Sequence, residues 1–216
     1  MPGYGESGDL ESPIPTVDEY VGVLTGLLQE LGVTRVHILG QSIAALIAAR
    51  FAAAYPDRIL SFIFAHGLTG LGGMPVADRD KAKAGRLEVF DAMGPVRFAH
   101  EKGPAIMSPG VSDGSREKAV AIMAQVRPHG FRQAVEMLAE ADFFADAPHI
   151  SVPSLVLCGA DDPVSPEPVC RSVEAALPNA IFSLLPGVGH YSAMENPALF
   201  NKALAGFLSS AIEAAL

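Results

Sequence analysis

Residues 35–55 leave the chain little conformational freedom. Arg35-Val36-His37-Ile38-Leu39 is a short apolar run that reads as a buried strand, and the Ala-rich stretch 43–55, stopped by Pro56, carries a helical pattern. Only Gly40-Gln41-Ser42 separates them. A strand that passes into a helix without a loop must turn sharply, and small residues, Gly40 and Ala44, stand on either side of Ser42. Such a turn lifts the Ser42 hydroxyl above the sheet, at a helix N-terminus where the backbone N–H of Ile43 can meet an oxyanion. A helix-capping serine reads the same way over so few residues, so the rest of the chain has to decide.

Three more apolar runs read as strands: 59–65, Ser154-Leu155-Val156-Leu157-Cys158 and 180–185. Continuous runs of this length fit strands buried on both faces of a parallel sheet. Helical patterns lie between and around them. Thr16-Val17-Asp18-Glu19 opens a helix that runs to about residue 31, with Gly32 as its stop. Stretches 166–177 and 197–214 are the others. The alternation predicts an α/β fold with helices on both faces of the sheet and right-handed crossovers. Residues 67–149 break it. After Gly67, Gly70, Gly72 and Gly73 they offer only helical windows, at 77–93, 115–127 and 130–142. The expected organisation is a core of residues 1–66 and 150–216 with a helical cap inserted at 67–149. Five of the seven methionines fall in the cap, as ordinary helix core or as an adaptable apolar wall over a pocket; Met123 and Met137 are pocket candidates on the second reading.

The chain has 216 residues, room for one full domain with an insertion. Hydrophobic residues make up 50% and charged ones 18%, which excludes intrinsic disorder. Against 15 basic side chains stand 24 acidic ones, a net charge of −9, which argues against nucleic acid or an anionic membrane as partner. Two cysteines, Cys158 and Cys170, make no disulfide framework, and no His/Cys/carboxylate cluster has metal spacing. No apolar run approaches the ~18 residues of a membrane span, and the opening residues do not read as a signal peptide. The expected setting is the reducing cytosol, and the expected partner a small molecule, with no cofactor and no metal.

A serine nucleophile needs a base, and the base an orienting acid. Leu155-Val156-Leu157-Cys158-Gly159-Ala160-Asp161-Asp162-Pro163 ends a strand in two carboxylates, and Leu184-Leu185-Pro186-Gly187-Val188-Gly189-His190 ends the next in a glycine-flanked histidine. One helix separates these strands, so they should be parallel neighbours that deliver both groups to the sheet edge carrying Ser42. Asp162 is favoured over Asp161, because it sits in Gly-x-x-Asp-x-x-x-Pro (Gly159, Asp162, Pro166). His37 lies inside a strand and reads as a satisfied core residue; His100, His129 and His149 read as solvated. His66 ends the second strand and is, with Gln41, a pocket candidate. Gly3-Tyr4-Gly5-Glu6-Ser7-Gly8 fits Gly-x-Gly-x-x-Gly literally, but without a preceding strand it is no dinucleotide site.

The order Ser42, Asp162, His190 and these flanking motifs resemble the α/β-hydrolase superfamily over nearly the whole chain. Pro2-Gly3-Tyr4-Gly5-Glu6-Ser7 is similar to the loop after that family's fourth strand, and Gly40-Gln41-Ser42-Ile43-Ala44 to its nucleophile elbow, where Gly is more usual at positions 43 to 45. Pro56-Asp57-Arg58-Ile59 is similar to its link into the sixth strand, Gly159 to Asp162 to its acid turn, and Gly187-Val188-Gly189-His190 to its histidine loop. The late cap, from Arg127-Pro128-His129-Gly130-Phe131 to Ala141-Asp142-Phe143, resembles the 3-oxoadipate enol-lactonase and carbon–carbon bond hydrolase branches. The resemblance implies a serine hydrolase acting on a small ester, lactone or related carbonyl compound, with an enol-lactone first and carbon–carbon bond cleavage second; a catalytically silent binding or assembly protein of the same fold is the alternative. It also implies that four strands and a His-Gly loop, which carries a second oxyanion N–H, precede this point, so the fold is expected to be N-terminally truncated, with Met1 internal to a longer chain. The strand at 36–39 is then an edge through which the chain aggregates, dimerises or meets a partner. Loss of one oxyanion donor costs on the order of 10²–10³ in rate, so an intact triad in a weakened site is expected.

Overall fold

A computed structural model describes residues 1–213. The first third of the chain forms α1 (Val17–Glu30), β1 (Val36–Gln41), α2 (Ala44–Ala54) and β2 (Ile59–Ala65). Helices follow: α3 (Val76–Lys102), α4 (Asp113–Met123), α5 (Pro128–Glu140) and α6 (Phe143–Asp146). The last third is β3 (Ser154–Gly159), α7 (Glu167–Ala176), β4 (Ala180–Leu185), α8 (Ser192–Glu195) and α9 (Pro197–Glu213). The expected strands and flanking helices are present, within one or two residues of where the hydrophobic pattern puts them.

The four strands form one parallel sheet in the order β1-β2-β3-β4. Spatial order equals chain order, so every carboxyl end lies on the same edge and each crossover moves one place along the sheet. Side chains alternate across it. Phe62 and Phe64 point into a core shared with α1, α2, α7 and Phe143, whose ring lies 5.1 Å from that of Phe64. Ile63 and Ala65 point to the other side, with Leu155, Leu157 and the Phe200 and Phe207 rings of α9. The central strands β2 and β3 are therefore buried from both faces, which is why their sequences are continuous apolar runs, whereas β1 and β4 are partly exposed.

Between β2 and β3 the described residues form helices and turns only. The helix α3 is longer than its 77–93 window because two helices meet at Gly94 (φ 70°, ψ 169°), which only a residue without Cβ adopts easily. Pro95 opens the second piece, since proline is favoured at a first helical position. Gln133 of α5 is fully buried and anchors the N-terminal segment: its side chain accepts from Leu10 N–H (3.3 Å) and donates to the carbonyls of Leu10 (2.8 Å) and Ser12 (2.7 Å).

At one end of the sheet β1 pairs with β2 alone, and no second strand flanks it among the described residues. Leu39 of β1 and Val23 and Leu27 of α1 are 37%, 46% and 55% exposed. They border an apolar cavity of about 530 Å³ that also touches Ile38, Ala44 and Tyr20. Among the described residues no helix is long and apolar enough to cross a membrane, and no group of His, Cys, Asp and Glu could hold a metal ion.

Candidate active site

Ser42 follows β1 with a left-handed backbone (φ 53°), a region that residues bearing Cβ seldom enter. Three backbone hydrogen bonds hold it there. Its N–H donates to the Ala65 carbonyl (3.2 Å), and its own carbonyl accepts from Ala45 (3.1 Å) and Leu68 (3.0 Å). A Cβ at Gly40 would lie 2.5 Å from the Ala44 carbonyl oxygen and from Ala45 Cα, so glycine alone lets α2 begin this close to β1. Ile43 is the next residue, in helical conformation (φ −61°, ψ −29°), which puts its N–H at the start of α2.

Asp162 and His190 reach the same place from the ends of β3 and β4. The Nε2 of His190 lies 3.0 Å from Ser42 Oγ, and its Nδ1 2.9 Å from Asp162 Oδ2. Asp162 and His190 are each only 3% exposed. The other carboxylate oxygen, Oδ1, accepts the backbone N–H groups of Val164 (2.8 Å) and Ser165 (3.1 Å), which fixes the carboxylate plane. Burial pushes the Asp162 carboxyl up, but the hydrogen bonds it accepts, the His190 ring first, outweigh burial and hold it well below the usual carboxylate range. Asp161 is exposed and only its backbone is engaged, through an N–H to the Val188 carbonyl (3.0 Å).

The histidine loop has to cross from β4 over two intervening strands, and a carboxylate absent from the sequence reading secures it. Glu195 of α8 accepts the N–H groups of Gly189 (2.9 Å) and Tyr191 (3.0 Å), which flank His190, and of Ser108 in the cap (2.9 Å). His190 itself donates its N–H to the Ile106 carbonyl (2.8 Å), and its carbonyl accepts from Gln41 Nε2 (3.0 Å). Loop, cap and elbow are thereby bound to one another. The only sequence sign of Glu195 is an acidic residue five places after His190, which nothing distinguishes from a solvated charge.

The other expected site residues separate into two groups. Gln41 touches the His190 backbone, and half-buried Met123 places its Sδ 3.9 Å from the Tyr191 hydroxyl, beside His190. Tyr4 joins them: burial, then the neighbouring Tyr191, push its hydroxyl up to about 12. His66 and Met137, by contrast, do not line open space. Met137 is fully buried on the inner face of α5, packed into the core that holds Phe143. His66 is fully buried behind Asp162, because the end of β2 turns inward. The 530 Å³ cavity is not over Ser42 either; its nearest wall is Ala44. His37 meets Ser61 Oγ (2.8 Å) across β1 and β2, half-buried, and His100, His129 and His149 are exposed.

A parallel sheet that presents a serine, an imidazole and a buried carboxylate in one hydrogen-bonded row at its carboxyl edge defines the hydrolase class of α/β proteins. The chain belongs to the alpha/beta hydrolase family, whose model matches residues 1–203, and it is a hydrolase of that family. A 2-hydroxy-6-oxononadienedioate/2-hydroxy-6-oxononatrienedioate hydrolase of Paraburkholderia phymatum is 28% identical, aligned over 96% of this chain and 74% of that protein. Among solved structures, a thermophilic esterase from Thermogutta terrifontis superposes with a TM-score of 0.87 at 25% identity, over 98% of this chain and 78% of that one. The enol-lactonase from Burkholderia xenovorans LB400 shares the fold (TM-score 0.73, 23% identity, 97% and 78% coverage).

Two outcomes follow from this geometry. Glu195→Ala leaves three N–H groups without their acceptor and is expected to cost on the order of 1–3 kcal/mol in a denaturant melt, with Glu195→Gln costing less because it keeps a carbonyl oxygen. The folded-state pKa of Asp162 lies below its unfolded value of about 3.9, so the stability it contributes is complete above about pH 4 and is lost as pH falls further. Stability of Asp162→Asn measured from pH 7 to pH 2 should therefore fall less steeply below pH 4 than that of the unaltered chain.

Proposed function

We propose that the chain is a serine hydrolase that cleaves a compact ester, lactone or related carbonyl compound through an acyl-enzyme. The single observation behind this reading is the row Ser42 Oγ, His190 Nε2 at 3.0 Å, and His190 Nδ1 to Asp162 Oδ2 at 2.9 Å. With Nδ1–H donated to Asp162, the Nε2 lone pair faces the Ser42 hydroxyl and is free to take its proton. Ser42 Oγ attacks the carbonyl carbon, and the oxyanion that forms faces the N–H of Ile43. Collapse of the tetrahedral intermediate expels the alkoxide or enolate, to which the His190 imidazolium delivers the proton it took from Ser42. Water, deprotonated by His190, then releases the acid and frees Ser42. Asp162 stays ionised throughout and stabilises the imidazolium.

Within this class an enol-lactone is the preferred substrate, in keeping with the resemblance of the late cap. Hydrolysis of a carbon–carbon bond in a vinylogous diketone is the second reading, favoured by the likeness to the Paraburkholderia 2-hydroxy-6-oxononadienedioate/2-hydroxy-6-oxononatrienedioate hydrolase. A partner of a different kind is a second copy of this chain, met through the unpaired edge of β1.

A fluorophosphonate probe tests the chemistry. Covalent labelling at Ser42, abolished in Ser42→Ala and slowed on the order of 10⁴-fold or more in His190→Ala, is the expected result. A folded chain that takes no label supports the silent binding protein instead. Self-association is tested by light scattering: the mass should rise with concentration and fall towards one chain in Leu39→Lys, and a constant single-chain mass contradicts it.

A further inference from the structure

Asp162 is shared by two imidazoles, and the proposed mechanism uses only one. His66 ends β2 with a left-handed backbone (φ 49°), as Ser42 does beyond β1, and the paired residues Gln41 and Ala65 immediately precede the two. The His66 ring is fully buried. Its Nε2 lies 2.5 Å from the Oγ of Ser192, itself 1% exposed, and its Nδ1 lies 3.2 Å from the Gly159 amide nitrogen and 3.3 Å from Asp162 Oδ2. A second serine–histidine arm thus meets the same carboxylate from behind, and burial closes it to substrate.

The hydrogen bonds decide where the proton sits. The Gly159 N–H points at Nδ1, so Nδ1 is an acceptor, and the ring's proton is on Nε2, donated to Ser192. Nδ1 is also within 3.3 Å of Asp162 Oδ2, but with the Gly159 N–H aimed at it the ring is assigned no proton there to donate to the carboxylate. With that tautomer the contact sets a lone pair against a carboxylate oxygen, and the buried ring fills the space beside Oδ2. That oxygen is left to His190 Nδ1–H alone. A ring with its proton on Nδ1 would do the reverse and divide the carboxylate between two imidazoles.

We propose that His66 is a positioning residue for the triad acid: as a neutral Nε2–H imidazole it props the acid turn through the Gly159 amide and reserves Asp162 Oδ2 for His190. The kinetic part of this inference rests on the serine hydrolase reading, whereas the tautomer does not. The left-handed backbone at His66 fits the role, since a non-glycine residue stays in that region only where its surroundings hold it.

The test combines a spectroscopic signature with kinetics. In the ¹⁵N-histidine-labelled chain, long-range proton–nitrogen correlation should show His66, identified by the signals lost in His66→Asn, with Nε2 protonated and Nδ1 bare. Asparagine tolerates a left-handed backbone and carries a carbonyl oxygen near the position of Nδ1. On an activated ester His66→Asn should keep kcat within about threefold, while His66→Leu, which has no acceptor for the Gly159 amide, should lower kcat about ten- to hundredfold with KM unchanged. A protonated Nδ1, an unchanged kcat in His66→Leu, or equal losses in both variants overturns the proposal. If the unaltered chain neither turns over the ester nor takes the fluorophosphonate, the hydrolase reading fails on its own, and the nitrogen spectrum still decides the tautomer.

Discussion

The close approach of α2 to β1 at Gly40 is the constraint from which the site follows. Because helix and strand touch there, the connecting residue must turn in a left-handed conformation, at a cost of order 1–3 kcal/mol. The hydrogen bonds that hold Ser42 in it come from Ala65 and Leu68, on either side of His66, and from the first turn of α2. The strained turn at the end of β1 and the one at the end of β2 are consequently built against each other. Ser165 extends the same join by donating its hydroxyl to the Gly67 carbonyl (2.9 Å), while its N–H is on Asp162 Oδ1. Elbow, β2 turn and acid turn behave as one braced unit.

Parallel strands bring the three groups to one edge but not to one point. Neighbouring strands lie about 4.8 Å apart, so β4 is some three spacings from β1, and a residue directly after β4 would fall well short of Ser42. The Asp162 carboxylate has less far to go, since β3 is one strand nearer to β1 than β4 is. The length of the histidine loop covers the difference, and length alone would leave His190 loose. Glu195 removes that freedom by taking both neighbouring amides, and Ile106 and Gln41 take the polar groups of His190 itself. Two of those anchors, Ser108 N–H and the Ile106 carbonyl, belong to the cap. Residues 106–108 therefore help to hold the His190 imidazole, so movement of that segment and imidazole placement are mechanically linked.

This division also explains what could be read from the amino-acid sequence. The strands and the helices around them were legible because each strand is a short apolar run bounded by turn residues and the helices have plain starts or stops, such as Thr16 or Pro56. Ser42, Asp162 and His190 were legible because topology converts chain order into a shared edge. Glu195 was not, and His66 was read only as a pocket candidate, because their partners are backbone amides and a carboxylate brought near by the fold, and no spacing rule encodes those. Met137 took the first of its two readings, ordinary helix core rather than pocket wall, and the sequence left both open because periodicity does not tell a helix face towards the core from one towards a pocket. The second half of α3 was hidden by Pro95, whose two meanings, stop and start, differ only in the conformation of the residue before it.

The outer edge of β1 and the chemistry beside it are largely independent. Every hydrogen bond that fixes the Ser42 backbone comes from the inner side, from β2, its following turn and α2, and His190 approaches over β2 and β3. Covering the exposed row of Leu39, Val23 and Leu27 would thus stabilise the chain and dry the 530 Å³ cavity without altering the distance from Ser42 to His190. The cavity wall at Ala44 is where the two could meet, because Ala44 stands in the first turn of α2, next to the N–H that faces an oxyanion. Ile47 and Ala48 line the cavity beside Ala44, so whatever fills the groove bears on the start of α2, and in the proposed mechanism that makes oxyanion stabilisation, rather than the proton relay, the step sensitive to association at the edge.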